Sequence, residues 1–224
     1  MSEPVYRHEY KYTVTQAECE MLKNRLGQVM IPDPYAVDGQ YVIRSLYFDN
    51  YRNTALAEKV EGTDPRAKFR IRIYNGSDAV ITLEKKVKQR DLTQKLREKL
   101  TRAECDRILC GDIDWMIDDR RALVVELYAR MKADLLRPKT LVEYTRIPFV
   151  YEAGNVRVTL DCDIRTGVYS TDLFSPEPLV PAGELNVLEV KFDRFLPDII
   201  RYLISPVSKV RESFSKYEAS RKFG

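Results

Sequence analysis

The stretch Ala67-Lys68-Phe69-Arg70-Ile71-Arg72-Ile73-Tyr74 decides how this chain folds, with Asn75-Gly76 behind it and Ala79-Val80-Ile81-Thr82-Leu83-Glu84-Lys85-Lys86-Val87-Lys88 two residues further on. Successive side chains of a strand point to opposite faces, so Lys68, Arg70, Arg72 and Tyr74 share one face and Phe69, Ile71 and Ile73 the other. Asn-Gly accepts positive φ at both centres of a two-residue turn, so the two runs pair as an antiparallel hairpin. One face of that hairpin is apolar. The other carries a row of cations.

The same two-faced alternation recurs along the chain. Residues 5–14 (VYRHEYKYTV) set Arg7, Glu9 and Lys11 against Tyr6, His8, Tyr10 and Tyr12. A strand runs from Tyr41 to near Asp49. Residues 139–151 and 155–164 form a second hairpin around Ala153-Gly154-Asn155, and residues 184–194 (ELNVLEVKFDR) supply the last clear strand. On the polar faces stand Glu84 and Lys86, Tyr144 and Arg146, Arg157 and Asp161, and Glu189 and Lys191.

Helices are marked by their starts. Thr15 with Glu18 and Thr101 with Glu104 have capping-box spacing, predicting one helix to about Met30, with Leu22, Leu26 and Val29 as its buried stripe, and another to about Leu109. A short helix is predicted over 51–59 and a long one over 115–132, where Met116, Leu123, Leu127 and Met131 fall on one side. Residues 31–40 and 175–183 read as loops, residues from 196 onward as helical or irregular, and the segment around Lys95 has no defined element.

The 224 residues suit one domain spanning 1–224, and no internal repeat divides them. Lys and Arg number 37 against 34 Asp and Glu, a net charge of +3, so bulk charge names no partner and only convergence of the cations on one surface would. Four cysteines without a C-x-x-C pair and a single histidine argue against structural zinc. Without a leader-like start or an apolar run of about 18 residues, the expectation is a cytoplasmic protein with no direct membrane insertion, any membrane-protein partner being unknown. Aromatics are not interleaved along an exposed basic groove, so no nucleic acid is expected.

Two arrangements satisfy the alternation. A sheet with one wet face gives it, and so does a barrel whose polar face points inward beneath outer helices. A resemblance weighs between them. Arg7-x-Glu9-x-Lys11-Tyr12, Ser45-Leu46-Tyr47-Phe48-Asp49, Phe69-Arg70-Ile71-Arg72-Ile73-Tyr74, Glu84-Lys85-Lys86, Tyr144-x-Arg146, Arg157-x-Thr159-Leu160-Asp161, Leu188-Glu189-Val190-Lys191 and Phe214-Ser215-Lys216-Tyr217 occur in this order. In that order the chain resembles the VTC domain, a polyphosphate polymerase domain of the triphosphate tunnel metalloenzyme or CYTH-like group.

The resemblance implies an α+β fold, a closed antiparallel eight-stranded β tunnel with helices packed outside. It implies transfer of the ATP γ-phosphate to phosphate or polyphosphate, aided by a divalent ion such as Mn²⁺ or Mg²⁺. Hydrolysis of triphosphate and non-catalytic polyphosphate binding are the alternatives. The catalytic residues it implies are Lys11, Arg70, Arg72, Lys86, Arg146 and Arg157, with Arg7, Lys95, Tyr144, Lys191, Ser215 and Lys216 binding phosphate. Glu189 is the implied metal ligand and Glu9 its helper, since hard divalent ions take carboxylate oxygens.

Plainer roles stand beside these. Arg70 and Arg72 also suit cross-strand pairing with Glu84, Glu189 suits neutralising Lys191 or Arg157, Ser215 suits a helix cap, and Tyr144 suits packing. Lys85 points away from Lys86, and His8 away from Glu9, so neither is assigned to the site. Related triphosphatases open with Glu-x-Glu-x-Lys. Arg7 replaces the first of those acids here, which puts simple hydrolysis in doubt.

Overall fold

The computed structural model describes residues 7–89, 92–184, 186–207 and 215–221; Tyr6 and Phe214, quoted above, lie outside them. In chain order the strands are β1 (His8–Val14), β2 (Ile31–Pro32), β3 (Tyr41–Asp49), β4 (Arg66–Tyr74), β5 (Ser77–Gln89), β6 (Leu92–Leu100), β7 (Arg137–Tyr151), β8 (Val156–Thr166), β9 (Val180–Pro181) and β10 (Asn186–Phe192). The α-helices are α1 (Gln16–Gly27), α2 (Thr54–Glu61), α3 (Arg102–Cys110), α4 (Ala122–Ala133), α5 (Asp198–Ile204) and α6 (Lys216–Ser220).

Eight longer strands form one sheet in the order β1-β10-β8-β7-β3-β4-β5-β6, to which β2 and β9 add at β7 and β8. Every pairing is antiparallel. The hairpin that opened the sequence reading is β4–β5, with Arg70 opposite Glu84 and the turn at Asn75 (φ 51°) and Gly76 (φ 67°). The sheet curls until its far strands meet. Lys86, on the seventh strand of the path, places Nζ 3.4 Å from Oε1 of Glu9 on the first. No backbone ladder joins β6 to β1 among the described residues, so where a closed tunnel is expected the backbone forms a curled half-barrel, its polar interior bridged by the Lys86–Glu9 contact from β5 to β1.

Outside the curl lie two apolar cores. In one, α1 and α5 press Cys19, Leu22, Leu26, Ile200 and Leu203 onto Val158, Leu160, Leu188 and Val190 of β8 and β10. In the other, α3 and α4 press Ile108, Leu123, Leu127 and Met131 onto Phe69, Ile71, Ile73 and Leu83 of β4 and β5. Each such side chain stabilises the fold by about 1.5–3 kcal/mol, so the apolar faces point outward and the charged faces inward. The outward side of β5 is marked by Lys85, which pairs with Glu126 of α4.

Both capping boxes form as read. Helix α1 ends earlier than expected, at Gly27, which leaves Val29 36% exposed and buries Met30 instead. The helix expected over 115–132 is broken into a 3₁₀ turn, Asp114–Asp118, and α4. Asp119 between them is extended, and its carboxylate accepts from the Arg121 backbone N–H at 2.7 Å, an alternative to helical bonding that acidic side chains offer. The short helix after Asp49 starts at Thr54 rather than 51, because Asn53 adopts a left-handed backbone. Residues 92–100, without a defined element in the sequence reading, are the full edge strand β6.

Candidate functional site

Three carboxylate centres organise the inward face. Glu84, on β5, is 1% exposed and gathers four cations from two neighbouring strands: Arg70 at 2.6 Å and Arg72 at 3.6 Å from β4, Lys95 at 2.6 Å and Arg97 at 3.5 Å from β6. Strand pairing causes this, since Glu84 lies directly between Arg70 and Arg97 in register. Although burial pushes the Glu84 carboxyl up, Arg70, Arg72 and Lys95 hold it well below the usual carboxylate range. Burial, Arg70 and Arg72 together push the Lys95 ammonium down to about 6 against the pull of Glu84.

Asp161, on β8, is fully buried and accepts Nε and Nη2 of Arg146 at 2.6 and 2.7 Å. Lys216 at the start of α6 reaches the same carboxylate at 2.6 Å. Burial raises its pKa, and Arg146 with Lys216 bring it down to about 2. Tyr144 lies between these cations, with its ring 5.4 Å from the Arg146 guanidinium and 4.7 Å from the Lys216 ammonium, while its hydroxyl accepts from Arg72 Nη2 at 3.2 Å.

Glu9 of β1 and Glu189 of β10 form the third centre. Lys11 stands 2.6 Å from Glu9 Oε1 and 3.9 Å from Glu189 Oε2, and Lys191 pairs with the other oxygen of Glu189. Burial and the adjacent Glu189 charge raise Glu9; Lys11, Lys86 and Lys191 overcome both and hold it at about 2. Glu189 too is held well below the usual carboxylate range, burial notwithstanding, by Lys191 and Lys11. The two carboxylates therefore converge on one cation and stay ionised. Their hard oxygens fit a divalent ion, but no cluster of three or more metal-ligating side chains occurs among the described residues, so substrate oxygens and water would complete the shell.

Nine basic side chains thus contact four carboxylates: Lys11, Arg70, Arg72, Lys86, Lys95, Arg97, Arg146, Lys191 and Lys216 against Glu9, Glu84, Asp161 and Glu189. Like charges held this closely repel, and the excess of cations is what an anion would neutralise. Aromatic and aliphatic side chains share the interior, with Ile43, Tyr47, Val142, Tyr144, Ile164, Val187 and Tyr217 in one cluster.

Of the residues assigned from sequence, eleven take part in these three centres: Lys11, Arg70, Arg72, Lys86, Arg146, Lys95, Tyr144, Lys191, Lys216, Glu189 and Glu9. Arg157 stands apart, paired with Asp33 at 2.7 Å and donating to the Tyr41 hydroxyl at 3.1 Å. Arg7 points to Asp193 at 2.8 Å and the Asn155 carbonyl, which leaves it outside the three centres. Ser215 caps α6, its hydroxyl accepting from the Glu218 N–H at 3.4 Å. His8 stacks on Phe192, as its place on the apolar face requires.

The sequence reading gave Glu84 only as a cross-strand partner of Arg70 and Arg72, gave Asp161 no anchoring role, quoted Tyr47 without a role and left out Arg97. Tyr47 is 8% exposed, and its hydroxyl accepts from Arg70 Nη1 at 2.9 Å. Burial raises the phenol, yet Arg70 and Arg72 bring it down to about 8. Its signal was its place two residues from Ser45 on the inward face of β3. For Arg97 the signal was the alternation Lys95-x-Arg97-x-Lys99.

A family model described as the VTC domain matches residues 6–223. No curated protein matches the sequence. Among solved structures, a candidate adenylate cyclase from Bacillus halodurans superposes with a TM-score of 0.57 at 13% identity, covering 94% of each chain. A candidate adenylyl cyclase from Hippeastrum, for which a dominant triphosphatase activity is described, gives 0.57 at 12% identity over 98% of this chain and 96% of that one. The PH1819 protein of Pyrococcus horikoshii gives 0.50 at 13% identity over 97% and 100%. At these identities the likeness is one of fold.

Proposed function

Because this chain belongs to the VTC domain family, we propose that it is a polyphosphate polymerase domain, which transfers the γ-phosphoryl group of ATP to phosphate or to the end of a polyphosphate. The gathering of nine cations by the four carboxylates of these three centres carries this reading. Phosphoryl transfer asks little covalent chemistry of a protein; it asks for in-line alignment and for charge on the equatorial oxygens to be neutralised. The bond from the β–γ bridging oxygen to the γ-phosphorus breaks, an acceptor phosphate oxygen bonds to that phosphorus, and ADP leaves.

Arg70 and Arg72 present planar forks suited to paired contacts with phosphate oxygens, and Lys86, Lys95 and Lys11 act as point charges. Arg146 spends Nε and Nη2 on Asp161, which fixes its plane and leaves its other N–H groups for substrate. Glu189 and Glu9 would hold Mn²⁺ or Mg²⁺, and the ion would neutralise charge on the reacting phosphates. Lys11 and Lys191, which now pair with those carboxylates, would then serve as cations for phosphate oxygens.

The acceptor separates synthesis from hydrolysis. Water must lose a proton to attack, for which Glu9 and Asp161, held at about 2, are weak bases and the Lys95 amine, held at about 6, is the better one. A phosphate acceptor is already an anion at pH 7 and needs no base to attack. Incubation with ATP and Mn²⁺ tests the reading: phosphate chains support it, orthophosphate alone identifies a hydrolase, and tight polyphosphate binding without product identifies a binding module.

A further inference from the structure

Lys68 continues the cation row of β4 and belongs to none of the three carboxylate centres. It shares the inward face with Arg70 and Arg72, lies opposite Lys86 in register, and stands about 7 Å along the strand from Arg70, given a rise of about 3.3 Å per residue. Lysines ordinarily bury the stem and keep the ammonium wet. Here the residue is partly exposed while Nζ is buried, and that nitrogen has no hydrogen-bond partner among the described residues. It rests instead on the Tyr217 ring, 4.8 Å from the centroid.

Two carboxylates feel the Lys68 charge, Asp49 and Glu58 of α2, and neither forms an ion pair with it among the described residues; Asp49 is committed elsewhere. Asp49, two residues beyond the cross-strand partner of Arg70, accepts the backbone N–H groups of Asn50, Ala55 and Leu56 at 2.9, 2.9 and 3.3 Å and the Tyr217 hydroxyl at 2.5 Å. Tyr217 also leans on Tyr47 at 5.1 Å, so its ring forms a floor across the end of the cation row. A buried ammonium without an anion costs stability, which an oxyanion beside it would return. Burial lowers its pKa to about 8, only partly opposed by Tyr47 and Asp49, as an ammonium lacking its anion should behave.

We propose that Lys68 forms an additional phosphate subsite, which takes a phosphoryl group of a long polyphosphate beyond those held by Arg70 and Arg72. The proposal rests on the polyphosphate reading above, and it makes this site one for chains longer than a nucleoside triphosphate. The tripolyphosphate ion tests the inner positions, and a polyphosphate of a few tens of units also reaches Lys68.

The experiment measures calorimetric binding of both ions, without metal, to the wild-type chain and to Lys68→Met, Lys68→Gln and Lys68→Arg, with thermal melting of each free protein. A charged hydrogen bond is at stake, so Lys68→Met and Lys68→Gln should weaken the long chain about tenfold or more and leave tripolyphosphate unchanged. Lys68→Arg should restore long-chain binding, and the free Lys68→Met protein should melt at or above the wild-type temperature. Equal long-chain affinity in wild type and Lys68→Met overturns the subsite, as does an equal loss for both ions. Wild type that binds neither ion overturns the polyphosphate reading as well. Wild type that binds both but synthesises nothing sinks the polymerase and leaves the subsite standing.

Discussion

Asp161 holds Arg146 and Lys216 on one buried carboxylate: Arg146 arrives through two parallel hydrogen bonds from β7, and Lys216 at 2.6 Å from α6. Two cations assigned to the phosphates are thus fixed by one side chain. Asp161→Asn keeps the shape and removes the charge. Breaking a buried pair from one side costs about 3–5 kcal/mol, so the free variant should melt lower and recover part of the loss when polyphosphate is added. Unchanged melting would show that Asp161 does not bear the charge of this pair.

Arg70→Ala and Arg72→Ala should each remain folded, because Glu84 retains three of its four cations in either variant. Turnover should fall by about a hundredfold or more, the usual cost of removing one preorganised group that stabilises transition-state charge. Steady-state rates beside circular dichroism check this, and full turnover by either variant would misplace the reacting phosphate.

Glu189→Gln separates metal from anion binding. Without the carboxylate, metal-dependent turnover should be lost, while metal-free polyphosphate binding should hold or tighten, since one negative charge leaves a surface that must accept anions. Parallel rate and binding measurements test this. Weaker metal-free binding would assign Glu189 to organising Lys11 and Lys191 rather than to a metal.

Lys95, Lys86 and Lys68 give the pH dependence. All three are lowered by burial, Lys95 further by Arg70 and Arg72 and Lys86 further by Lys11, to about 6, about 8 and about 8, against an unfolded value of 10.5. Between the folded values and 10.5 the unfolded chain holds more protons, so the stability of the free protein contributed by these groups rises with pH through that window. Below about pH 6 all three are charged in either state and their cost is full. Polyphosphate favours the charged form, so binding at pH 7–8 should take up protons. Calorimetry in buffers of different ionisation enthalpy measures that uptake, and proton release would contradict it.

Legibility followed periodicity. The β4–β5 hairpin, both capping boxes and the polar-face placement of Arg70, Arg72, Lys86, Arg146 and Glu189 were readable because strand alternation and turn chemistry are local; that this face points inward came from the resemblance, since a sheet with one wet face gives the same alternation. Strand β6 alternates as clearly, yet Leu92, Leu96 and Leu100 also recur at helical spacing, and only pairing with β5 decides between the two. Arg7 shares a face with Glu9 and Lys11 in the pattern, but at the strand's end its long side chain turns to Asp193. The anchoring of many cations by Glu84 depends on three strands in register, which no single segment shows.

The most direct test is a crystal structure of the protein with Mn²⁺ and a non-hydrolysable ATP analogue. The triphosphate should lie on the inward face, contacted by Arg70, Arg72, Lys86 and Arg146, with Glu189 on the metal and Lys11 turned toward phosphate. A nucleotide bound on the outer surface, with the Lys11–Glu9 and Arg70–Glu84 contacts intact inside, would contradict the account.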